Sequence, residues 1–262
     1  MSVFQMIDLH DVISICPSND PRHSVVFEGV SVPEENTCTA VLDALTGRLS
    51  HYWQVTIKKN IPSGAGLGGG SSNAAVLLMA LNQLESLGLV GDELRQIARG
   101  IGSDVSFFLH GGQAKVMGTG DQILSNQSLI ECGFFVLVLP AIHCSTSEVY
   151  HMLDEVGAFD DLETLSGEQT MTMGYNRLVK AAFQLMPDLA RLHQQLMASL
   201  DVPIHMSGSG STLYIPCISA LKQREVYDQL MQLTFNCPVK IKAANAVNGT
   251  EWSAETGTEG RT

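Results

Sequence analysis

The stretch Ile61-Pro-Ser-Gly-Ala-Gly-Leu-Gly-Gly-Gly-Ser-Ser-Asn-Ala-Ala75 places five of the chain's 24 glycines within the seven positions 64 to 70. Just upstream, Tyr52 to Ile57 alternates polar and apolar side chains at the period of a half-buried strand. Downstream from Ala74, the residues Leu77, Leu81, Leu84 and Leu87 keep helical spacing, and Gly88 offers a left-handed stop. The glycines therefore join a strand to the N-terminus of a helix. Unpaired N–H groups point outward at such a junction, and no Cβ blocks an approaching phosphate oxygen. A flexible Gly/Ser linker is the plain alternative, although linkers seldom run straight into a strongly periodic apolar helix.

Three kinds of phosphate loop fit glycines in this setting. Gly64-Ala-Gly66-Leu-Gly-Gly69 satisfies G-x-G-x-x-G, but a dinucleotide fold also requires strand and helix to alternate along the chain, and the second half does not. A Walker loop ends in Gly-Lys-Ser/Thr, whereas Gly70 is followed by Ser71 and the loop holds no lysine. What remains is the longer pattern Pro62-x-Gly64-x-Gly66-Leu67-Gly68-Gly69-Gly70-Ser71-Ser72, whose serines are expected to cap the helix and reach phosphate or its magnesium ion.

The rest of the 262-residue chain sets the limits. Its 45% apolar content suffices for a large core, and no apolar run approaches the roughly 20 residues that span a bilayer. The opening MSVFQMIDLHD lacks the basic cluster and apolar stretch of a secretory or transit signal, so the expected location is cytoplasmic, away from membranes. Six scattered cysteines and eight scattered histidines show no ligand spacing, so the cysteines read as buried free thiols and no resident metal site is expected. A net charge of −12 without any block of Lys or Arg argues against nucleic acid as a partner. Any positive potential for phosphate must therefore be local.

Further along, a second helix is expected from Asp92 to Ile101, and Gly118-Thr-Gly120 reads as a turn between short strands. A polar connector near Ser125–Ser128 precedes Phe134–Leu139, a continuous apolar run suited to a strand buried on both faces. Ser145 with Glu148 fits a capping box, and residues 158–173 form an acidic, weakly patterned loop. One long helical region from Leu178 to Leu196 is interrupted at Pro187. Two short strands flank Ser207-Gly-Ser-Gly210, a helix occupies about 220–233, and Val239–Ala243 closes the unit. That order suggests an α+β sandwich of the ferredoxin type. The reading gives domains at 1–127 and 128–245, with a disordered tail over 246–262.

The glycine loop with its Ser71-Ser-Asn-Ala-Ala75 extension resembles the nucleotide loop of the GHMP small-molecule kinases. Ile101-Gly-Ser-Asp104-Val-Ser-Phe-Phe is similar to the family's Gly-Ala-Asp-Val-Pro-Phe-Phe segment, and Met206-Ser-Gly-Ser-Gly-Ser211 to its C-terminal glycine loop. The opening VFQMIDLHDVISI also resembles the family's Leu-Phe-Gln-x-x-Asp-x-x-Asp-x-Ile-x-Ile stretch.

The resemblance implies a two-domain α+β fold, with a ribosomal S5 domain 2-like N-terminal domain and a ferredoxin-like C-terminal one. ATP, with Mg2+, would be held by Pro62, Ser63, Gly64, Ala65, Gly66, Leu67, Gly68, Gly69, Gly70, Ser71 and Ser72, with Asn36 on the adenine side. Asp104 would be the catalytic carboxylate, and Thr146, Ser207, Gly208, Ser209 and Gly210 would face the acceptor. The implied acceptor is the 2-hydroxyl of 4-diphosphocytidyl-2-C-methyl-D-erythritol, on an enzyme that is a monomer or homodimer. A kinase for another small alcohol and a noncatalytic nucleotide-binding protein are the alternatives.

Each residue also has a plainer reading. Asp104 fits a helix N-cap, Asn36 and Thr146 fit helix starts, and Ser207–Gly210 fits a Gly/Ser hairpin turn. Members of the family carry Ala-Lys-x-Asn and then Gly-Tyr-His ahead of the Phe-Gln segment, whereas this chain starts at that Phe-Gln. No residue here takes those roles, low turnover is expected of the chain as it stands, and an unpaired sheet edge is expected where that strand would lie. Lys58 and Lys59 precede the glycine loop within reach of phosphate, although their alternation at a strand end favours a solvated edge.

Overall fold

Strand β4, Trp53–Lys58, runs through the middle of a sheet, with β2 (Val12–Pro17) antiparallel on one side and β3 (Ser24–Glu28) parallel on the other. Its alternation is the predicted one: Trp53, Val55 and Ile57 are buried and the residues between them are not. The structure, a computed structural model, describes residues 2–29, 36–118, 120, 122–124, 132–156 and 175–249. The connector 125–128, the acidic segment 158–173 and residues 250–262 of the expected tail lie outside these described residues.

Helices α1 (Thr37–Ala44), α2 (Gly69–Leu84) and α3 (Gly91–Ile101) pack Val41, Leu45, Leu77, Leu78, Leu81 and Ala98 against the buried face of this sheet. Two boundaries of α2 differ from the expectation. It begins at Gly69, because an opening turn needs no apolar periodicity and its first N–H groups need no helical partner. It ends at Leu84, ahead of Gly88, because the Asn82 side chain exchanges two 2.9 Å hydrogen bonds with the backbone of Leu89 and turns the chain back early. A short helix α4, Val105–His110, follows α3 and leads into β5 (Gln113–Met117) and β6 (Gln122–Leu124). Strand β1, Ser2–Gln5, pairs with β5 to complete a second sheet of order β1-β5-β6.

The second unit runs from β7 (Phe134–Pro140) through α5 (Thr146–Val156), α6 (Leu178–Leu185), α7 (Pro187–Ser199), β8 (His205–Met206), β9 (Leu213–Cys217) and α8 (Ala220–Met231) to β10 (Val239–Asn245). Its antiparallel sheet has the order β10-β7-β9-β8, the split arrangement of a ferredoxin-like sandwich. Strand β7 is central and almost wholly buried, as its unbroken apolar run requires. Leu189, Leu192, Leu196, Val226 and Leu230 cover one face of this sheet. Ile7, Leu9 and Leu67 pack on the other, beside Phe135, Leu137 and Leu139.

The N-terminal segment thus touches both units. Ile7 bridges Ala246, the Asp8 N–H donates to the Asn245 carbonyl, and the Val247 N–H donates to the Met6 carbonyl. Residues 246–249, assigned to the tail from the sequence, belong to this fold because they continue β10 alongside the chain's opening. Among the described residues no helix is long and apolar enough to cross a membrane.

Candidate active site

Between β4 and α2 the chain turns on three alternate glycines, Gly64, Gly66 and Gly68, with φ of 67°, 69° and 65°. Such left-handed backbone strains any residue with a Cβ. Each glycine is also pressed by a neighbour. A Cβ on Gly64 would lie 2.6 Å from the His143 imidazole, one on Gly66 2.3 Å from the Ser207 carbonyl, and one on Gly68 2.7 Å from the Phe108 ring. The loop is bare so that elements from both units can close on it.

Gly68 occupies the N-cap of α2 without a side-chain cap, and the first helical bond is from the Ser72 N–H to the Gly68 carbonyl. Among the described residues the amides of Gly69, Gly70 and Ser71 accordingly keep the free N–H groups of a helix start, in a geometry that suits phosphate. The predicted capping by Ser71 and Ser72 is not seen. The Ser72 hydroxyl donates back to the Gly69 carbonyl at 2.9 Å, while that of Ser71 has no partner among the described residues. Ile61 and Ala65 are buried, and Pro62 and Ser63 are exposed where the loop begins.

The Ser207–Gly210 loop joins β8 to β9 and is also a hairpin turn, since the Ser207 N–H donates to the Thr212 carbonyl. Beyond that it docks on the first loop: the Ser207 hydroxyl donates to the Gly66 carbonyl at 2.8 Å, and the Thr212 N–H to the Ala65 carbonyl at 3.1 Å. A Cβ on Gly208 would lie 3.1 Å from the Gly66 carbonyl. Thr146, the first residue of α5, shares a 3.0 Å hydrogen bond with the Ser209 hydroxyl, so this predicted group does assemble. Asn176 donates to the Met206 and Gly208 carbonyls and steadies the loop. Sequence reading missed Asn176, as it missed His143 and Phe108, because each acts through a contact remote in the chain.

Asp104 heads α4, yet its side chain caps nothing. Its described contact is a weak 3.4 Å hydrogen bond donated by the Ser103 hydroxyl, and burial pushes its carboxyl above the ordinary value of 3.8. Phe108, one turn further, lies on Gly68, so α4 runs against the glycine loop. Asn36 is an N-cap: its Oδ1 accepts from the Thr39 N–H and its Nδ2 donates to the Thr39 hydroxyl, both at 2.9 Å. Its neighbour Thr37 donates to the Gly70 carbonyl at 2.7 Å and ties α1 to the start of α2.

Lys59 departs most from expectation. Its side chain is 14% exposed and forms an ion pair with Asp11, whose own side chain is fully buried. Lys59 lies one residue beyond β4, where strand alternation no longer sets direction, and the turn swings it inward. Burial alone would raise the Asp11 pKa, but the Lys59 ammonium and the donors on Ile61, Asn73 and Asn60 together hold it below 3.8. No group of three or more His, Cys, Asp or Glu among the described residues is arranged to hold a metal ion.

A helix start made of left-handed glycines, closed by a second glycine loop from a ferredoxin-like unit, defines a GHMP-type kinase. Residues 36–112 match the family described as GHMP kinases N terminal domain. The chain is 34% identical over 231 residues to 4-diphosphocytidyl-2-C-methyl-D-erythritol kinase of Persephonella marina, covering 82% of this chain and 81% of that one. It is likewise 34% identical to the enzyme of that name from Carboxydothermus hydrogenoformans, covering 87% and 83%. The chain therefore belongs to the 4-diphosphocytidyl-2-C-methyl-D-erythritol kinase family. The chloroplastic/chromoplastic kinase of Solanum lycopersicum is 37% identical over 81% of this chain, but the match spans only 57% of the tomato protein's length. Among solved structures, 4-(cytidine 5'-diphospho)-2C-methyl-D-erythritol kinase aligns with a TM-score of 0.67 at 25% identity, covering 93% of this chain and 89% of that one. Homoserine kinase from Cytophaga hutchinsonii aligns at 0.70 with 15% identity, covering 94% and 90%, a likeness of fold alone.

Proposed function

We propose that this chain transfers the γ-phosphoryl group of ATP to the 2-hydroxyl of 4-diphosphocytidyl-2-C-methyl-D-erythritol, a step of non-mevalonate isoprenoid precursor synthesis. One observation carries the reading: free N–H groups at the start of α2 lie under a three-glycine loop that the Ser207–Gly210 loop closes from the second unit. ATP phosphates would lie along Pro62–Ser72, with Asn36 and Thr37 beside the start of α2. The backbone N–H groups of Gly69, Gly70 and Ser71 supply local positive potential in a chain of net charge −12. Magnesium would offset the charge on the nucleotide phosphates, and the Ser71 hydroxyl, without a partner among the described residues, is the side chain at the start of α2 that would reach it.

In the transfer, the acceptor oxygen forms a bond to the γ-phosphorus as the bond from that phosphorus to the β,γ-bridging oxygen breaks, with attack and departure in line. Asp104, uncapped and partly buried, takes the acceptor's hydroxyl proton, a contribution on the order of 10²–10⁴ in rate. Thr146 and Ser209, already bonded to each other, would face the acceptor from the second unit. Positioning and charge stabilisation do most of the work in such a reaction. The test is product analysis by mass spectrometry with ATP and, separately, the cytidine-linked erythritol, mevalonate and homoserine. Phosphorylation of the first alone is expected, with inhibition by cytidine nucleotides. Phosphorylation of mevalonate or homoserine in its place would assign the chain to another alcohol, and ATP binding without any product would favour a noncatalytic role.

A further inference from the structure

Asp11 accepts hydrogen bonds from both ends of the glycine loop. At the entry it takes the Asn60 N–H at 2.7 Å, the Ile61 N–H at 2.9 Å and the Lys59 ammonium. At the exit it takes the Asn73 side-chain N–H, in α2, at 2.9 Å. All four donors meet a carboxylate whose side chain is fully buried. The Lys59 ammonium is packed so closely beneath the first turn of α2 that a Cβ on Gly69 would stand 3.3 Å from its nitrogen. Three residues earlier, Asp8 accepts from the Asn245 N–H at 2.9 Å and from the Asn245 side chain at 2.7 Å. One short segment therefore grips the glycine loop and the end of β10 together.

We propose that Asp11 is a positioning residue for the nucleotide: by fixing both ends of the glycine loop it sets where the N–H groups of Gly69, Gly70 and Ser71 point. This rests on the kinase reading above. Asp11 itself is sealed from ATP and acts through the backbone it holds. Its loss should weaken the ATP site and leave the Thr146–Ser209 pair proposed to face the acceptor, which Asp11 does not touch, as it was. A general stability role would not separate the two substrates in this way.

Removing Asp11 alone would strand Lys59 as a buried unpaired cation, so the test removes both charges. Asp11→Asn with Lys59→Gln keeps an oxygen for the Asn60 and Ile61 N–H groups, while its new N–H₂ group donates to the Gln side-chain oxygen and, once the Asn73 amide flips, to the Asn73 oxygen, so both ends of the loop stay tied without charge. Asp11→Ala with Lys59→Met keeps the volume apolar and removes the acceptor. Thermal melts establish that both proteins fold, after which KM is measured for each substrate and ATP affinity by calorimetry. The amide pair should stay within about threefold of wild type in the KM for ATP, and the apolar pair should raise it tenfold or more. The KM for the acceptor should change by less than twofold in both. An unchanged ATP affinity in the folded apolar pair, or an equal rise in both KM values, overturns the positioning role. A wild-type protein that binds no ATP overturns instead the kinase reading beneath it.

Discussion

The Ser207 hydroxyl donates to the Gly66 carbonyl at 2.8 Å, joining residues 141 positions apart. That bond ties the turn of a ferredoxin-like hairpin to the loop that opens α2, so neither glycine loop is a free surface feature. The proposed phosphate site depends on how the two units meet, which gives Gly66 a role that its φ alone does not describe.

Gly66→Ala should therefore cost more than backbone strain. A left-handed Ala costs roughly 1–2 kcal/mol wherever it occurs. At Gly47, with φ +81° and nothing within 4 Å of a Cβ, that strain is the whole penalty; at Gly66 the Cβ would also meet the Ser207 carbonyl at 2.3 Å and the Gly210 carbonyl at 2.6 Å. Gly66→Ala should be the less stable variant and lose at least tenfold in ATP affinity, while Gly47→Ala keeps wild-type affinity. Denaturant melts and calorimetry on the pair provide the check, and equal effects at both sites would contradict the docking of the loops.

Asp104 should weigh stability against activity. Burial raises its folded pKa above 3.8, so its contribution to stability is fully present below the unfolded value and is lost as pH rises through the folded one. Asp104→Asn has no proton to lose, and its Tm should exceed that of wild type at pH 7 and converge with it in acid. The acid limb of wild-type kcat/KM should fall at a higher pH than an ordinary carboxylate would give. A lower Tm for the variant at pH 7 would mean that the carboxylate holds the fold together.

Glu85 has the opposite sign. Its burial would raise the pKa, but the Ser50 hydroxyl and N–H, the Trp53 indole N–H at 2.8 Å and His51 lower it to about 2. This stability is present above the ordinary 4.5 and disappears as pH falls through about 2. Glu85→Gln should be less stable than wild type at pH 7, with the gap narrowing between about pH 4.5 and 2. Circular dichroism melts across that range check it; a constant gap would rule out the charge as the cause.

How far sequence carried the reading depends on the range of each interaction. The strand before the loop, the helix after it and the order of the second unit were legible because burial repeats at a period of two or of 3.6 residues. The first turn of α2 was not, since Gly69 and Gly70 carry no side chains to show a period. Ser72 has the residue type of a cap and instead hydrogen-bonds back to Gly69, a choice set by local backbone geometry. Lys59 looks solvated from the sequence because its partner Asp11 lies 48 positions away. His143 and Phe108 gave no signal of their own, and their roles appear only where they press on Gly64 and Gly68.

Single-turnover transfer of labelled γ-phosphate from ATP to 4-diphosphocytidyl-2-C-methyl-D-erythritol, comparing wild type with Asp104→Asn, decides whether Asp104 serves phosphoryl transfer. The variant keeps the fold, because the Asp104 side chain caps no helix. Label should appear in the acceptor for wild type, at a rate lower by about 10²–10⁴ for the variant, with ATP affinity within about threefold between them. Equal rates for the two proteins would contradict that role.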